Sequence, residues 1–169
     1  MGAGAGSATL GPSTAAAAAA LGALGAGRWR RGRDPAKQEG LAVGESGIEG
    51  GGKGLFAARA FRQGEVLCYY TGAQIKIADM LRKSRKGPQG TAYVMGFGLN
   101  KYLDAEFRPD VLARYLNDSK DKRRYNVYFN KRWELRRAEV VALRDIAPGE
   151  ELFVSYGANY WKVDGRQLR

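Results

Sequence analysis

Hydrophobic residues in this chain come in short runs of three to five, separated by glycine, proline and polar clusters. Runs of this length between turn-forming residues are typical of β-strands. Turns are expected at 62–65 and 147–150, and a hairpin loop at 98–100. The pattern predicts strands at residues 41–43, 55–58, 66–70, 93–97, 101–103, 125–129, 139–143 and 152–156.

One stretch has a helical period instead. Residues 75–83 place Ile77, Met80 and Leu81 on one side of an amphipathic helix. Strands and helices do not alternate regularly along the chain, and no internal repeat is visible, so a doubly wound sheet is disfavoured. The pattern therefore predicts a mainly β domain with few short helices.

The two ends of the chain differ in composition from the middle. Residues 1–40 consist largely of Ala, Gly, Ser and Arg, and their apolar part is too short and too interrupted by glycine to span a bilayer. Its arginines follow the apolar part, unlike a signal peptide, which leaves plain disorder or an organelle transit peptide. We expect a folded domain at 41–161 and a basic tail at 162–169.

Two residue types that carry much enzyme chemistry are scarce. The 169 residues include no histidine and a single cysteine, Cys68. This composition excludes Ser-His-Asp and Cys-His catalysis, His-based zinc sites and an internal disulfide. We predict no metal site. An enzyme with this sequence must use Tyr, Asp, Glu, Lys, Arg, Asn or Ser, or a cofactor.

The formal net charge of +11 favours an anionic partner. Much of this charge lies in residues 120–137, which hold eight basic and two acidic residues, interleaved with Tyr125, Tyr128 and Trp133. Basic residues with aromatic residues between them are typical of nucleic-acid contacts. A solvated hairpin face has the same composition, so both interpretations stay open.

A glycine loop at 47–54 nearly matches the phosphate-binding loop. Gly47, Gly52 and Lys53 have the required spacing, but Gly54 replaces the Ser or Thr that would hold magnesium. A strand-like segment follows the loop, where a helix N-terminus would be needed. The sequence thus disfavours an ATPase, and leaves a choice between a bare backbone that lies against a ligand and a flexible hairpin loop.

Two further features have a structural and a functional interpretation. The polar cluster Asn117, Asp118 and Ser119 ends an apolar stretch, either as a turn or as the polar wall of a pocket. Tyr70 and Tyr156 each lie at a predicted strand end close to a glycine. Such tyrosines are usually amphipathic caps, but two of them could also bring two phenols to one pocket.

Taken together, the ordered segments of this chain resemble a SET domain, the fold of S-adenosylmethionine-dependent protein-lysine methyltransferases. The resemblance covers residues 41–161 and implies small curved β-sheets with a C-terminal pseudoknot, in which 114–119 and the Tyr156 segment meet. The five segments that carry it are 50–57, 70–72, 102–105, 114–119 and 149–157.

The resemblance implies a cofactor site, a lysine channel and a catalytic tyrosine. Tyr156 would be the catalytic tyrosine, with Tyr70 beside it, and Asn126 would frame the pocket with Arg114. Asn117 and the main chain of Asp118 would hold the adenine and amino-acid ends of S-adenosylmethionine. The residues implied to bind the cofactor are Gly52, Lys53, Gly54, Arg114, Asn117 and Asp118. Those implied to line the lysine channel are Tyr70, Phe129, Val154 and Trp161.

Some positions depart from the family pattern. Most members carry His where this chain has Asp118, whose carboxylate could instead accept a hydrogen bond from the adenine amino group. The cysteine-rich zinc segment that completes the channel in many relatives is missing from this sequence, which leaves Tyr160 and Trp161 to close it.

The resemblance implies a protein-lysine methyltransferase whose substrate is a protein with an accessible lysine, a histone being one candidate. The alternative is a catalytically weak SET-like module that binds chromatin or nucleic acid through 120–137. No membrane partner is expected. The sequence does not fix the compartment: the nucleus is slightly favoured, and the N-terminal segment leaves a plastid or other organelle open.

Overall fold

The computed structural model describes residues 38–98 and 100–163. Most of the low-complexity segment 1–40 and of the basic tail 162–169 therefore lies outside the described residues. Within the described ranges, eight strands form three antiparallel sheets, in the orders β1–β2, β3–β8–β7 and β4–β6–β5. The strands are β1 (Leu41–Glu45), β2 (Lys53–Ala57), β3 (Val66–Tyr70), β4 (Ala73–Lys76), β5 (Val94–Gly96), β6 (Lys101–Asp104), β7 (Val127–Arg132) and β8 (Arg137–Ala142).

The helices are short, as the sequence predicts. The α-helices are α1 (Ile77–Ser84), α2 (Pro88–Thr91) and α3 (Ala158–Val163), and the 3₁₀ turns are Leu112–Tyr115 and Trp133–Leu135. No helix among the described residues is long and apolar enough to cross a membrane. The mainly β prediction is confirmed.

One core joins the sheets. Its fully buried side chains come from strands of all three sheets and from the segments between them, and include Leu55, Phe61, Leu67, Leu103, Leu116, Val127, Val140, Leu152 and Val154. Aliphatic and aromatic burial of this kind is the main favourable term in folding. Leu116, Leu152 and Val154 belong to this core, so the segments 114–119 and 152–156 are both anchored in it.

The prediction of a β-strand at 152–156 is wrong. Phe153 forms only an isolated parallel bridge with Asn117, and Glu151 an isolated antiparallel bridge with Phe56. The Leu152 N–H donates to Leu55 O at 2.7 Å, and the Val154 N–H donates to Asn117 O at 3.0 Å. Because successive backbone groups pair with different segments, no ladder forms. The expected meeting of 114–119 with the Tyr156 segment is nevertheless present.

The predicted helix 75–83 is only partly right. Residues up to Lys76 belong to β4, and α1 begins at Ile77. The apolar side predicted for this helix does not enter the core, since Ile77 is 39% and Leu81 48% exposed. The helical period therefore predicted a helix correctly, but it did not predict whether its apolar side chains are buried.

Candidate functional site

A cavity of about 520 Å³ lies where four parts of the chain converge. They are the glycine loop at 48–53, the segment from α2 to Tyr93, the polar segment at 114–120 and the aromatic residues at the C-terminal end of the domain. Ligand sites in proteins have volumes of about 300 to 1,000 Å³. Of the predicted site residues, the cavity lining includes Gly52, Lys53, Arg114, Asn117, Asp118, Tyr156 and Trp161.

Asn117 connects two walls of the cavity. The 3₁₀ turn Leu112–Tyr115 ends just before it, which turns the backbone toward the C-terminal segment. The carbonyl of Asn117 accepts the Val154 N–H, and its side-chain Nδ2 donates to Lys53 O at 3.0 Å. One residue thus holds both the glycine loop and the Tyr156 segment. The stretch lines the cavity, and its role as a cofactor wall stays a prediction.

The glycines of the loop serve different purposes. Gly50 and Gly52 adopt φ angles of +70° and +61°, and a Cβ at either position would meet nothing within 4 Å. Left-handed backbone favours glycine, and here it leaves a bare main chain at the cavity. Gly54 is not among the lining residues of this cavity. It lies in β2, where a Cβ would come within 2.3 Å of Glu151 Oε1.

Glu151 braces the glycine loop, a role that the sequence analysis missed. Its Oε1 accepts from Ser46 Oγ at 2.6 Å, and its Oε2 accepts from the Gly47 N–H at 2.8 Å. The carboxylate therefore ties the start of the loop to the C-terminal segment. In the sequence Glu151 follows the turn at 147–150, and only its separation of about one hundred residues from Ser46 and Gly47 hid the contact.

A Gly54→Ala substitution should loosen this brace. The new methyl group would displace the Glu151 carboxylate, and overpacking of a filled site typically costs about 1–3 kcal/mol. We expect the free energy of unfolding, measured in urea, to fall by that amount. Gly96→Ala is the matched control, because Gly96 is also in a strand and its Cβ would lie 3.9 Å from Tyr102 Cε1. Equal losses from both variants would contradict the proposed brace.

Asp118 is buried, and its carboxylate is fully engaged by the protein. Oδ1 accepts from the Lys120 N–H at 2.8 Å and from the Tyr125 hydroxyl at 2.6 Å. Oδ2 accepts from the Tyr156 N–H at 2.9 Å and from Trp161 Nε1 at 3.0 Å. An ionised carboxylate offers about four acceptor sites. The geometry therefore disfavours the predicted bond to an adenine amino group and leaves only the main chain of Asp118 for a ligand.

The Tyr156 phenol is held in one orientation. Its hydroxyl donates to Leu116 O at 2.5 Å, which leaves the oxygen lone pairs as acceptors. Its ring stacks on Trp161 and meets the edge of Tyr160, with centroid distances of 6.0 and 4.7 Å. Burial is the main cause that raises the pKa of Tyr156 far above its usual value, so the phenol stays neutral across the physiological range.

Arg114 presents a cation at the cavity. Its guanidinium lies 3.8 Å from the centre of the Tyr93 ring and donates from Nη1 to Glu106 O at 3.0 Å. Its Nε is buried and has no hydrogen-bond partner among the described residues. An unpaired buried N–H is costly in a native structure. Arg114 itself lines the cavity, where its guanidinium offers a positive charge to an anionic group.

Three predicted channel residues lie away from the lining of this cavity. Tyr70 is buried behind Tyr93, to whose carbonyl its hydroxyl donates at 2.6 Å, and its ring meets the edge of Phe129 at 5.9 Å. Val154 is buried in the core. Of the two phenols that could have met at one pocket, only that of Tyr156 lies at this cavity. The channel role of Tyr70, Phe129 and Val154 stays a prediction.

Asn126 is not among the lining residues of the cavity, but it supports the segment that leads to Tyr156. Its role in framing the pocket stays a prediction. Asn126 is 1% exposed, its Nδ2 donates to Glu151 O at 2.8 Å, and its Oδ1 accepts the Phe153 N–H at 2.8 Å. These bonds satisfy two backbone groups that no strand ladder serves. Among the described residues, no three His, Cys, Asp or Glu side chains are grouped so that they could hold a metal ion.

Comparison with known protein families matches residues 52–157 to the SET domain. The chain is 32% identical over 130 residues to histone-lysine N-methyltransferase EZH2 of Chaetomium thermophilum, covering 71% of this chain and 8% of that protein. It is 34% identical over 127 residues to N-lysine methyltransferase KMT5A of Xenopus tropicalis, covering 72% and 37%. The chain thus spans well under half the length of these curated relatives.

Solved structures with a similar fold include ctPRC2 in an autoinhibited conformation bound to S-adenosylmethionine, with a TM-score of 0.59 and 29% identity. This likeness covers 75% of the present chain and 16% of that one. An active polycomb repressive complex 2 in the basal state gives a TM-score of 0.58 at 29% identity, and covers the same shares of the two chains.

Proposed function

Because the chain belongs to the SET domain family, as its motifs predicted, we propose that it transfers a methyl group from S-adenosylmethionine to a lysine side chain of a protein. The observation that carries this proposal is the cavity at which the glycine loop, Asn117 and Tyr156 meet. Relatives named as lysine methyltransferases support the reaction class. The name of the EZH2 relative makes histones the first substrates to test.

The residues around the cavity fit S-adenosylmethionine. This cofactor combines an adenosine, a carboxylate, an ammonium and a sulfonium. The Arg114 guanidinium offers a positive charge to the carboxylate, and the bare backbone at Gly50 and Gly52 permits close approach. The rings of Tyr156 and Trp161 offer aromatic surface, which attracts cations. The guanidinium and the aromatic wall thus match the charges of this ligand.

When bound, the cofactor supplies a methyl group on a sulfonium that is already electrophilic. The protein must then deliver a neutral lysine amine. A site that excludes water, with a cationic group nearby, lowers the pKa of an amine and so favours loss of its proton. Such a site needs no histidine. The remaining task is orientation, since alignment of reacting atoms can account for several kcal/mol of the barrier.

Tyr156 is suited to orient the amine. Its proton points to Leu116 O, so its oxygen can accept an N–H of the incoming amine. The same oxygen carries partial negative charge, which stabilises positive charge that develops near the methyl group. The raised pKa of Tyr156 keeps the hydroxyl neutral and makes it an unsuitable general base.

The proposal is tested by labelled methyl transfer. The full chain is incubated with S-adenosylmethionine carrying a labelled methyl group and with histones, ribosomal proteins or whole-cell extract. Acid hydrolysis of the acceptor should release labelled methyl-lysine, and binding of the cofactor should be measurable separately by calorimetry. Cofactor binding without any labelled lysine, in all three acceptor sets, would contradict the proposed enzyme.

A second candidate function is nucleic-acid binding through residues 120–137, which include β7 and the turn that leads to β8. The aromatic residues Tyr128 and Trp133 are 43% and 57% exposed, as a stacking surface requires. Several cations of this stretch are already engaged, however. Arg123 pairs with Asp121, and Lys131 donates to Gly96 O at 2.6 Å. Lys120 and Arg124 lie over the rings of Trp161 and Phe153. Among the described residues of 120–137, the exposed cations with neither an ion pair, a hydrogen bond nor an aromatic ring as a side-chain partner are Lys122, Arg132 and Arg136.

The salt dependence of binding separates this candidate from non-specific attraction. If only the three unpartnered cations contact phosphates, the slope of log K against log salt should be about −3 on duplex DNA. Replacing Arg132 and Arg136 together by Ala should change the slope to about −1. Fluorescence anisotropy at several salt concentrations measures both slopes. A slope that the double variant leaves unchanged would exclude 120–137 as the contact surface.

A further inference from the structure

Four hydrogen-bond donors from four positions converge on the carboxylate of Asp118. Lys120 and Tyr125 bind Oδ1, and these donors belong to the segment that follows Asp118 directly. Tyr156 and Trp161 bind Oδ2, and both come from the C-terminal end of the domain, about forty residues away. The two oxygens therefore face two different parts of the chain, and the carboxylate joins them.

We propose that Asp118 is a positioning residue, whose carboxylate holds Tyr156 and the aromatic helix α3 in place at the cavity. This inference rests on the proposed methyl transfer. It assigns a role to the side chain of Asp118, separate from any contact of its main chain with the cofactor.

The first argument is that Tyr156 is held at both of its ends. Its backbone N–H is fixed by Asp118 Oδ2, and its hydroxyl is fixed by Leu116 O. Asp118 and Leu116 are two positions apart, in the same segment 114–119. A phenol anchored at one end can swing about its side-chain torsions, whereas one anchored at both ends keeps its oxygen in place. Loss of either bond should therefore misplace the group that orients the amine.

The second argument concerns α3. Trp161 is only 9% exposed, and its indole N–H points to Asp118 Oδ2. Its ring stacks on Tyr156 at an interplanar angle of 15°, and Lys120 Nζ lies 4.0 Å from the ring centre. The indole is thus fixed by its edge and by its face. Since α3 has only six residues, it gains little stability from its own backbone, and these contacts hold it.

The third argument is chemical. Of the side chains of this size, only an ionised carboxylate accepts four hydrogen bonds and donates none. An amide of the same shape would place its NH₂ group against two of the donors, whichever way it is turned. The Tyr125 hydroxyl can rotate and become an acceptor, but the backbone N–H groups of Lys120 and Tyr156 cannot. Asp118→Asn therefore breaks part of the arrangement while it leaves the volume unchanged.

The test follows the Trp161 indole N–H by proton–nitrogen NMR, with and without Asp118→Asn. Bonds to a charged acceptor are strong, so we expect indole exchange with solvent to accelerate about 10- to 100-fold in the variant. The exposed indole of Trp133 provides an internal reference in the same spectrum.

In parallel, kcat for lysine methylation should fall at least about 10-fold. Tyr125→Phe is the matched control, because it removes one donor and keeps the carboxylate, and it should change each quantity less than about 3-fold.

If Asp118→Asn does not fold, Trp161→Phe takes its place. This variant keeps an aromatic ring and removes the indole donor, so kcat should fall while the melting temperature shifts by only a few degrees. An indole that stays protected in Asp118→Asn would overturn the proposal, as would an unchanged kcat in the variant that folds. If the unaltered protein transfers no methyl group, the proposed function fails, and the indole measurement still decides whether Asp118 holds α3.

Discussion

Tyr156→Phe should reduce methyl transfer at least about 100-fold, while S-adenosylmethionine binding stays within about 3-fold of the original protein. The substitution removes a single oxygen. That oxygen is the acceptor proposed to orient the lysine amine. The hydrogen bond that the Tyr156 hydroxyl donates to Leu116 O fixes the orientation of its lone pairs. Because the ring and its stacking on Trp161 remain, the cavity wall should keep its shape. Single-turnover rates and calorimetric cofactor titrations measure the two quantities separately.

Tyr128→Phe is the control for the same chemical change at another position. Tyr128 lies in β7 and is 43% exposed, so loss of its hydroxyl should leave the rate unaltered. A Tyr156→Phe variant with full activity would remove Tyr156 from the proposed mechanism. A variant that loses cofactor binding together with activity would instead assign the Tyr156 hydroxyl to the cofactor site.

The pH dependence adds an independent expectation. Burial raises the pKa of Tyr156, so its hydroxyl stays protonated as pH rises through 10, the usual pKa of a tyrosine. Any increase of kcat/KM between pH 7 and 10 should therefore report deprotonation of the lysine amine. The increase should keep its midpoint in Tyr156→Phe, although the absolute rate is lower.

Local sequence patterns located most strands, because a run of apolar residues between turns is a local signal. Val66–Tyr70 was predicted with the observed bounds, and the hairpin of β5 and β6 forms around the expected loop. The strand predicted at 125–129 begins at Val127, since the backbone and side chain of Asn126 are engaged by 151–153. Where the backbone groups of a residue bond to a distant segment, the local pattern cannot predict at which residue a strand begins or ends.

The site could be predicted only as far as its motifs reach. The family motifs identified Asn117 and Tyr156, which the structure places at one cavity. The bracing by Glu151 and the four bonds to Asp118 could not be predicted, because they join residues up to about one hundred positions apart. Neither the hydrophobic periodicity nor the composition of a sequence indicates which carboxylate accepts a hydrogen bond from which donor. Those partners are known only once the C-terminal segment is placed against 114–119.

Asn126→Ala should destabilise the fold more than the other substitutions discussed. Its side chain satisfies the Phe153 N–H and the Glu151 carbonyl, both within the segment that carries Tyr156. Each buried group left without a partner costs about 1–3 kcal/mol, so we expect a loss of about 3–5 kcal/mol. Domains of this size have total stabilities of about 5–15 kcal/mol. Urea unfolding followed by circular dichroism measures the loss. Asn130→Ala, at a half-buried residue bonded to the Glu139 side chain, should cost about 1 kcal/mol or less.

Asn126→Asp tests the direction of these bonds. The introduced carboxylate can still accept the Phe153 N–H, but it places a second acceptor against the Glu151 carbonyl. Only the protonated carboxyl can donate there, and burial also favours the neutral form, so folding should raise its pKa. A raised pKa means that the folded state binds the proton more tightly, so stability is lost as pH rises through that pKa. The deficit of Asn126→Asp relative to the original protein should therefore be smaller at pH 5 than at pH 8, whereas that of Asn126→Ala should be the same at both. Equal pH dependence of the two deficits would mean that Asn126 does not donate to Glu151 O.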